Sequence, residues 1–195
     1  MKLKSNLIHH CVWLVAGLLL AANVSLAGQE PTAFQLAKDG NRFVGEPSKD
    51  KVLEIYSEKS IAGLTPSLWT VAYYDPDTKF KVVEVKFGSG LKLDVGRPWK
   101  LLGGGKEENV LKWDKLKVDS DKALKIATSL QVISPFTLKN AQLWLRPSDD
   151  GLVWKVRLWA AKLGKPEVVM EIGDIYISPE DGKVVRADLH LERLN

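Results

Sequence analysis

LVWKVRLWAA, residues 152–161, is the stretch from which the fold of this chain can be predicted. Side chains of a β-strand point to alternate faces of the sheet, so the stretch separates into two sets. One face carries Trp154, Val156, Leu158 and Ala160, and the other carries Lys155, Arg157, Trp159 and Ala161. The turn signals DDG (149–151) and LGKP (163–166) bound the stretch. We therefore expect a long strand with one face in a core and cations beside an aromatic ring on the other.

The neighbouring elements are a helix and three further strands. Asp119 or Ser120 is a suitable N-cap for a helix from Asp121 to about Leu130. Alternation predicts strands over residues 141–146, 168–178 and 185–191. Ile175 and Ile177 are out of phase with Val168, Met170 and Ile172, which indicates a β-bulge at Gly173-Asp174.

The first half of the chain gives a similar pattern. Residues 51–60 carry Val52, Ile55 and Tyr56 at i, i+3 and i+4, the spacing of a helix face. Residues 29–45 also suggest a short helix, although this segment is ambiguous. Strands are predicted over residues 68–74, 80–87 and 91–95, separated by turns.

Short matches between the halves suggest an internal repeat. DKVL (50–53) resembles DKAL (121–124), and WTV (69–71) resembles WKV (154–156). The prediction is an α+β fold with two repeated lobes, each a helix packed on a small antiparallel sheet. The expected domains are a lobe at 28–100, a linker at 101–117 that contains Gly103-Gly104-Gly105, and a second lobe at 118–195.

The N-terminal segment, residues 1–27, has the pattern of a signal peptide. Lys2 and Lys4 precede an apolar run of about 16 residues, and Ser25-Leu26-Ala27 supplies the small residues before a cleavage site. The alternative is a membrane anchor, which usually needs about 18 or more apolar residues. We expect cleavage, no stable membrane anchor afterwards, and a periplasmic or secreted protein.

Cleavage would remove most of the side chains that support chemistry. His9, His10 and the one cysteine leave with the signal peptide, so His190 is the remaining histidine. Thiol catalysis and a histidine-rich metal site are therefore excluded, and no Gly-x-Ser-x-Gly motif occurs. The formal net charge falls from +4 to +2, which is unlike a nucleic-acid-binding protein. We predict no enzymatic activity, no cofactor and no metal, and we assign the paired acidic residues such as Asp149-Asp150 to turns.

The candidate partner-binding residues lie on two predicted strands joined by the turn at 149–151. They are Trp144, Arg146, Lys155, Arg157 and Trp159. If the strands pair through that turn, Trp144 lies opposite Lys155 or Arg157, and aromatic rings beside arginine are typical of interface hot spots. Two structural alternatives remain open: the other lobe covers this face, or the residues stiffen a solvated sheet.

The second half resembles a PepSY-like domain. The resemblance rests on DKALKIA (121–127), WKV (154–156), IYI (175–177) and DGKVV (181–185), and it covers about residues 118–192. Residues 47–97 resemble a degenerate second copy without the Asp-Gly-Lys turn. The resemblance implies a PepSY/cystatin-like lobe and a non-enzymatic exported module that binds an extracytoplasmic peptidase or an envelope protein, as inhibitor, regulator or sensor. The alternative is a structural envelope protein that associates with itself, for example as a homodimer.

Overall fold

The computed structural model describes residues 30–97 and 105–194. In these residues the chain forms two α-helices and eight β-strands. The helices are α1 (Ala33–Gly40) and α2 (Ser120–Thr128). The strands are β1 (Val52–Ser57), β2 (Leu68–Tyr74), β3 (Val82–Gly88), β4 (Leu91–Gly96), β5 (Leu138–Ser148), β6 (Gly151–Lys162), β7 (Lys165–Ile177) and β8 (Val184–Leu189). The predicted signal peptide lies outside the described residues.

The eight strands form one antiparallel sheet in the order β4-β3-β2-β1-β5-β6-β7-β8. The prediction of two repeated lobes, each with its own small sheet, is therefore wrong. The sheet is continuous because β1 pairs with β5, with Ile55 opposite Leu145 and Tyr56 opposite Trp144. Sequence patterning identifies strands, but it does not reveal that two edge strands far apart in the chain pair with each other through their backbone hydrogen-bonding groups.

The β1–β5 seam is short, and side chains extend it. Beyond its two backbone pairs, the Ser57 hydroxyl accepts a hydrogen bond from the Leu143 amide at 2.9 Å. The Ser60 hydroxyl accepts one from the Ala141 amide, also at 2.9 Å. These hydroxyls satisfy buried amides beyond the paired residues of the two strands, where the Ser60 amide also donates to the Ala141 carbonyl at 2.8 Å.

The helix predicted over residues 51–60 is also wrong, because this segment is strand β1. The register with β2 shifts between Val52 and Glu54, which marks a β-bulge. The extra residue places Val52 and Ile55 in the same core, at 1% and 0% exposure, although they are three positions apart. A bulge thus produced the i, i+3 spacing that indicated a helix.

The other elements largely confirm the sequence patterns. Helix α2 begins at Ser120 with Asp119 as N-cap, and α1 lies in the ambiguous segment 29–45. Strand β2 matches its predicted bounds, and the other six predicted strands are found with shifted ends. The register of β6 and β7 shifts between Gly173 and Glu171, so the predicted bulge is confirmed one residue earlier, at Ile172.

Both helices pack on the same face of the sheet and enclose one main core. Leu36 of α1 and Ala123 of α2 are fully buried there, and burial of a leucine side chain contributes about 1.5–3 kcal/mol. Trp154 is also fully buried, donates its indole hydrogen to the Val118 carbonyl at 2.8 Å and stacks on Phe34. The core prediction for Trp154 is confirmed.

The N-termini of the two helices meet. The Ser120 hydroxyl accepts a hydrogen bond from the Ala33 amide at 2.9 Å, and the Asp119 carboxylate accepts one from the Phe34 amide at 3.1 Å. Burial raises the pKa of Asp119, although hydrogen bonds from the Thr32 side chain and from the amides of Ser120 and Phe34 stabilise its charged form. Asp119 therefore serves both helices, which fixes α1 beside α2.

The described part of the predicted linker is packed on the sheet. The Leu111 side chain is 5% exposed and its amide donates to the Val52 carbonyl at 2.7 Å. The Gly105 amide donates to the Phe80 carbonyl, and the Trp113 indole donates to the Asp50 carbonyl. Residues 98–104 lie outside the described residues.

Candidate binding face

The sheet face opposite the helices, which we call the open face, carries a row of side chains across all eight strands. Strand pairing places these residues directly opposite one another in the order Asp94, Lys86, Thr70, Tyr56, Trp144, Lys155, Tyr176 and Arg186. Directly paired residues share a face, so this central row runs perpendicular to the strands.

Cations and aromatic rings alternate along the second part of the central row. The Lys155 ammonium lies 5.4 Å from the Trp144 ring centre and 5.9 Å from that of Tyr176. The Arg186 guanidinium lies 4.0 Å from the Tyr176 ring centre. Such a contact contributes about 0.5–1 kcal/mol at an exposed site and about 2 kcal/mol when it is desolvated. Lys155 and Tyr176 are only 16% and 9% exposed, so these contacts hold the side chains of the row in place.

The Asp174 carboxylate, next to the central row, binds two cations of the open face. Asp174 accepts hydrogen bonds from Arg157 Nε at 2.7 Å and Nη2 at 2.9 Å, and Lys155 Nζ lies 3.0 Å from the same group. Burial would raise the pKa of Asp174, but the hydrogen bonds from Arg157 and Lys155 outweigh it and lower the pKa. The hydrogen bond to Asp174 raises the pKa of Arg157. Asp174 therefore stays ionised and fixes both cations.

The five sequence-predicted site residues all lie on the open face. Trp144, Lys155, Arg157 and Trp159 are half-buried, and Arg146 is exposed. The Lys59 ammonium lies 4.5 Å from the Trp159 ring centre, and Arg146 lies 3.8 Å from Glu54. The helices pack on the opposite face. The partner-binding role of these five residues stays a prediction.

Five further residues lie on the open face although the sequence patterns do not mark them as site residues: Tyr56, Glu84, Asp174, Tyr176 and Arg186. Tyr56 was missed because its strand was assigned to a helix. Asp174 and Tyr176 lie just past the bulge at Ile172, which changes the phase of their strand. The signal that identifies them is the alternation of β7 counted from Gly173 onwards.

Two carboxyl groups on this face lie in an environment that disfavours their ionised form. Burial raises the pKa of Glu54 and of Glu84, and Glu84 is 9% exposed. The Tyr56 hydroxyl donates to Glu84 at 3.3 Å, and burial together with the Glu84 charge raises the pKa of Tyr56 to about 12. Burial thus disfavours the ionised forms of all three groups.

Part of the open face is covered in the first half of the chain. Leu53, Ala72, Tyr74 and Val82 form a small apolar cluster there, with Val110 packed against it. The part that this cluster leaves uncovered is the central row from Tyr56 to Arg186 and its neighbours on β5–β8, which we call the accessible part. Within it Tyr176 is only 9% exposed, Tyr56, Trp144 and Lys155 are half-buried, and Arg186 is exposed.

The acidic turn residues have structural partners. Asp75 accepts from the Asp77 amide at 3.0 Å, Asp181 from the Lys183 amide at 3.1 Å, and Asp150 pairs with Arg186 at 3.1 Å. In residues 30–97 and 105–194, no three side chains of the metal-binding types are grouped to hold an ion. Over the same residues, no helix has the length and apolar character needed to cross a membrane.

Comparisons with known proteins identify no relative. No family model matches the chain, and no curated protein or solved structure matches it. The PepSY-like resemblance therefore stays a prediction from the sequence motifs.

Proposed function

We propose that this protein is an exported, non-enzymatic module that binds a partner polypeptide through the accessible part of the open face. The observation that carries the proposal is the central row, in which Tyr56 lies beside Trp144 and aromatic rings and cations then alternate in register from Trp144 to Arg186. The resemblance to PepSY-like domains favours an extracytoplasmic peptidase or an envelope protein as the partner.

The arrangement suits binding because its side chains are already ordered. Association loses free energy when long side chains are immobilised, and a surface that is fixed beforehand avoids much of that loss. Asp174 fixes Lys155 and Arg157 through contacts of 2.7–3.0 Å. Tryptophan, tyrosine and arginine are also the residues that most often dominate binding energy in protein interfaces.

The dimensions also fit a polypeptide. Five strands carry the row from Tyr56 to Arg186, and at a strand spacing of about 4.8 Å the row is roughly 19 Å long. An extended segment of roughly six residues has the same length. A partner that lies along this part of the row would contact five strands, from β1 in the middle of the sheet to the edge strand β8.

Site-specific photocrosslinking tests the proposal. A benzoylphenylalanine is introduced at position 159 on the open face and, as the matched control, at position 122 on the exposed side of α2. The protein is expressed in its native host and irradiated, and crosslinked proteins from the envelope and the culture medium are identified. We expect a specific protein at position 159 and not at position 122.

The partner that crosslinking identifies is then purified in its free form, and its affinity for variants of this chain is measured. We expect Trp144→Ala to weaken binding about tenfold or more, as for a hot-spot residue, and Lys122→Ala to leave it unchanged. Circular dichroism verifies that both variants fold. Equal affinity of both variants would contradict the proposal, and recovery of only a second copy of this chain would favour the self-associating alternative.

A further inference from the structure

A separate cavity of about 530 Å³ lies on the helix side of the sheet, next to the β1–β5 seam. Its walls come from α2, from the segment 30–32 before α1, from the segment 64–66 after β1, and from Trp69 of β2 and Leu143 of β5. The open face is on the other side of the sheet, so this cavity is independent of the proposed function.

The interior of the cavity is mostly apolar. Leu64, Pro66, Trp69, Leu124 and Leu143 line it, and the indole hydrogen of Trp69 is already donated to the Pro66 carbonyl at 3.1 Å. A dry cavity of about 150 Å³ accommodates a benzene-sized molecule, so this one has room for roughly three such groups. Its size falls within the range of about 300–1,000 Å³ that is usual for small-molecule sites.

The rim of the cavity carries one charge of each sign on α2. Asp121 and Lys125 are both exposed and lie four positions apart, so their Cβ atoms are about 5–6 Å apart. In residues 30–97 and 105–194, neither side chain takes part in an ion pair of 4.0 Å or less. The Glu30 carboxylate also lines the cavity, where it accepts a hydrogen bond from the Ser89 hydroxyl at 3.1 Å. The hydroxyls of Ser120 and Thr128 already bond to the backbone, which leaves Asp121 and Lys125 as the charged groups at the rim without such a side-chain partner in the described residues.

We propose that this cavity binds a small zwitterion with an apolar body, of the chemical class of a short apolar peptide with free termini. The apolar side chains occupy the space beside Trp69 and Leu143. The ammonium group lies at Asp121 and the carboxylate at Lys125. Charge complementarity at the rim distinguishes this ligand from a purely apolar molecule, and the interior distinguishes it from a polar amino acid.

Titration of the protein with the dipeptide leucylphenylalanine, monitored by calorimetry, tests the proposal. Thermal unfolding with and without the dipeptide provides a second measurement. We expect saturable binding and an increase in Tm, because a ligand that binds only the folded state stabilises it. The N-acetylated and the C-amidated dipeptides each lack one charge and are expected to bind about two- to fivefold more weakly, the effect of one exposed ion pair. Glycylglycine lacks the apolar body and is expected not to bind.

Variants of the protein provide the second part of the test. Asp121→Asn should weaken binding of the unmodified dipeptide but not of the N-acetylated one, and Lys125→Gln should act only on ligands with a free carboxylate. Leu64 is half-buried in the cavity wall, so Leu64→Trp fills the cavity and should abolish binding. Lys122→Gln, on the exposed side of α2, should have no effect. Absence of saturable binding, or binding that Leu64→Trp leaves intact, would overturn the proposal. The crosslinking at position 159 does not depend on this result.

Discussion

Replacement of Asp174 by asparagine should destabilise the protein, because this carboxylate connects two cations on the open face. It accepts two hydrogen bonds from Arg157 and lies 3.0 Å from Lys155, and its side chain is 14% exposed. A hydrogen bond to a charged group contributes about 1.5–3 kcal/mol. The loss is reduced because Arg157 is 29% exposed and keeps Glu171 at 3.6 Å, and because asparagine still accepts one hydrogen bond. We expect a net loss of about 2 kcal/mol, or a decrease in Tm of roughly 4–8 °C for a chain of this size.

The difference in stability between wild type and Asp174→Asn should depend on pH, because it comes from the ionised form of Asp174. The folded-state pKa of Asp174 lies below its ordinary value of 3.8, so its ionised form stabilises the fold above that pH. The stabilisation is lost as the pH falls through the folded-state pKa. Urea unfolding should therefore show a large difference between wild type and Asp174→Asn at pH 7 and a smaller one at pH 3.

Asp188→Asn is the matched control for this experiment. Its side chain is 49% exposed, and its partner Arg186 keeps a second carboxylate, Asp150, at 3.1 Å. We expect little change in this variant. Equal unfolding midpoints for wild type and Asp174→Asn at pH 7, or a difference that is the same at pH 3, would refute the assignment of Asp174 as the anchor of the open face.

Two further substitutions test other parts of the fold. Burial raises the pKa of Glu84, so its protonated form favours the folded state below the ordinary value of 4.5 and this contribution is lost as the pH rises through the folded-state pKa. Glu84→Gln should therefore raise the free energy of unfolding at pH 7 and have little effect at pH 4; a loss of stability at pH 7 would contradict the burial argument. Gly173→Ala should cost about 3 kcal/mol or more, because Gly173 has φ +118° and an added Cβ would lie 2.0 Å from the Asp188 carbonyl oxygen. Gly151→Ala, at φ +90° with no atom within 4 Å of the added Cβ, should cost only about 1–2 kcal/mol in chemical denaturation, and equal losses in the two variants would exclude the steric explanation.

Most strands were predictable because their alternation is uninterrupted. Strand β6 has Trp154, Val156 and Leu158 on one face over its full length, and its sequence alone shows which face is buried. Helix α2 was predictable because Asp119 marks its N-terminus. These signals are local, so a single sequence contains them.

The errors arose where the local pattern depends on a distant partner. The bulge at Leu53 exists because β1 pairs with β2, and it converted a strand pattern into a helical one. The joining of β1 to β5 likewise cannot be derived from either strand alone. For the same reason, the sequence placed Trp144 and Lys155 on one face, but it could not add Tyr56 to their row.

The β1–β5 seam has a consequence for how the chain folds. All other strand pairs join neighbours in the chain, whereas Ile55 and Leu145 are about 90 residues apart. Closure of so long a loop is entropically unfavourable, so the local hairpins should form early and the seam last. Weakening the seam, for example by Ser57→Ala, should therefore slow refolding much less than it speeds unfolding. Amide hydrogens of Ala141 and Leu143 should then exchange with solvent sooner than those in the middle of β6. The sheet would thus separate at the β1–β5 seam before its edge strands β4 and β8 unfold.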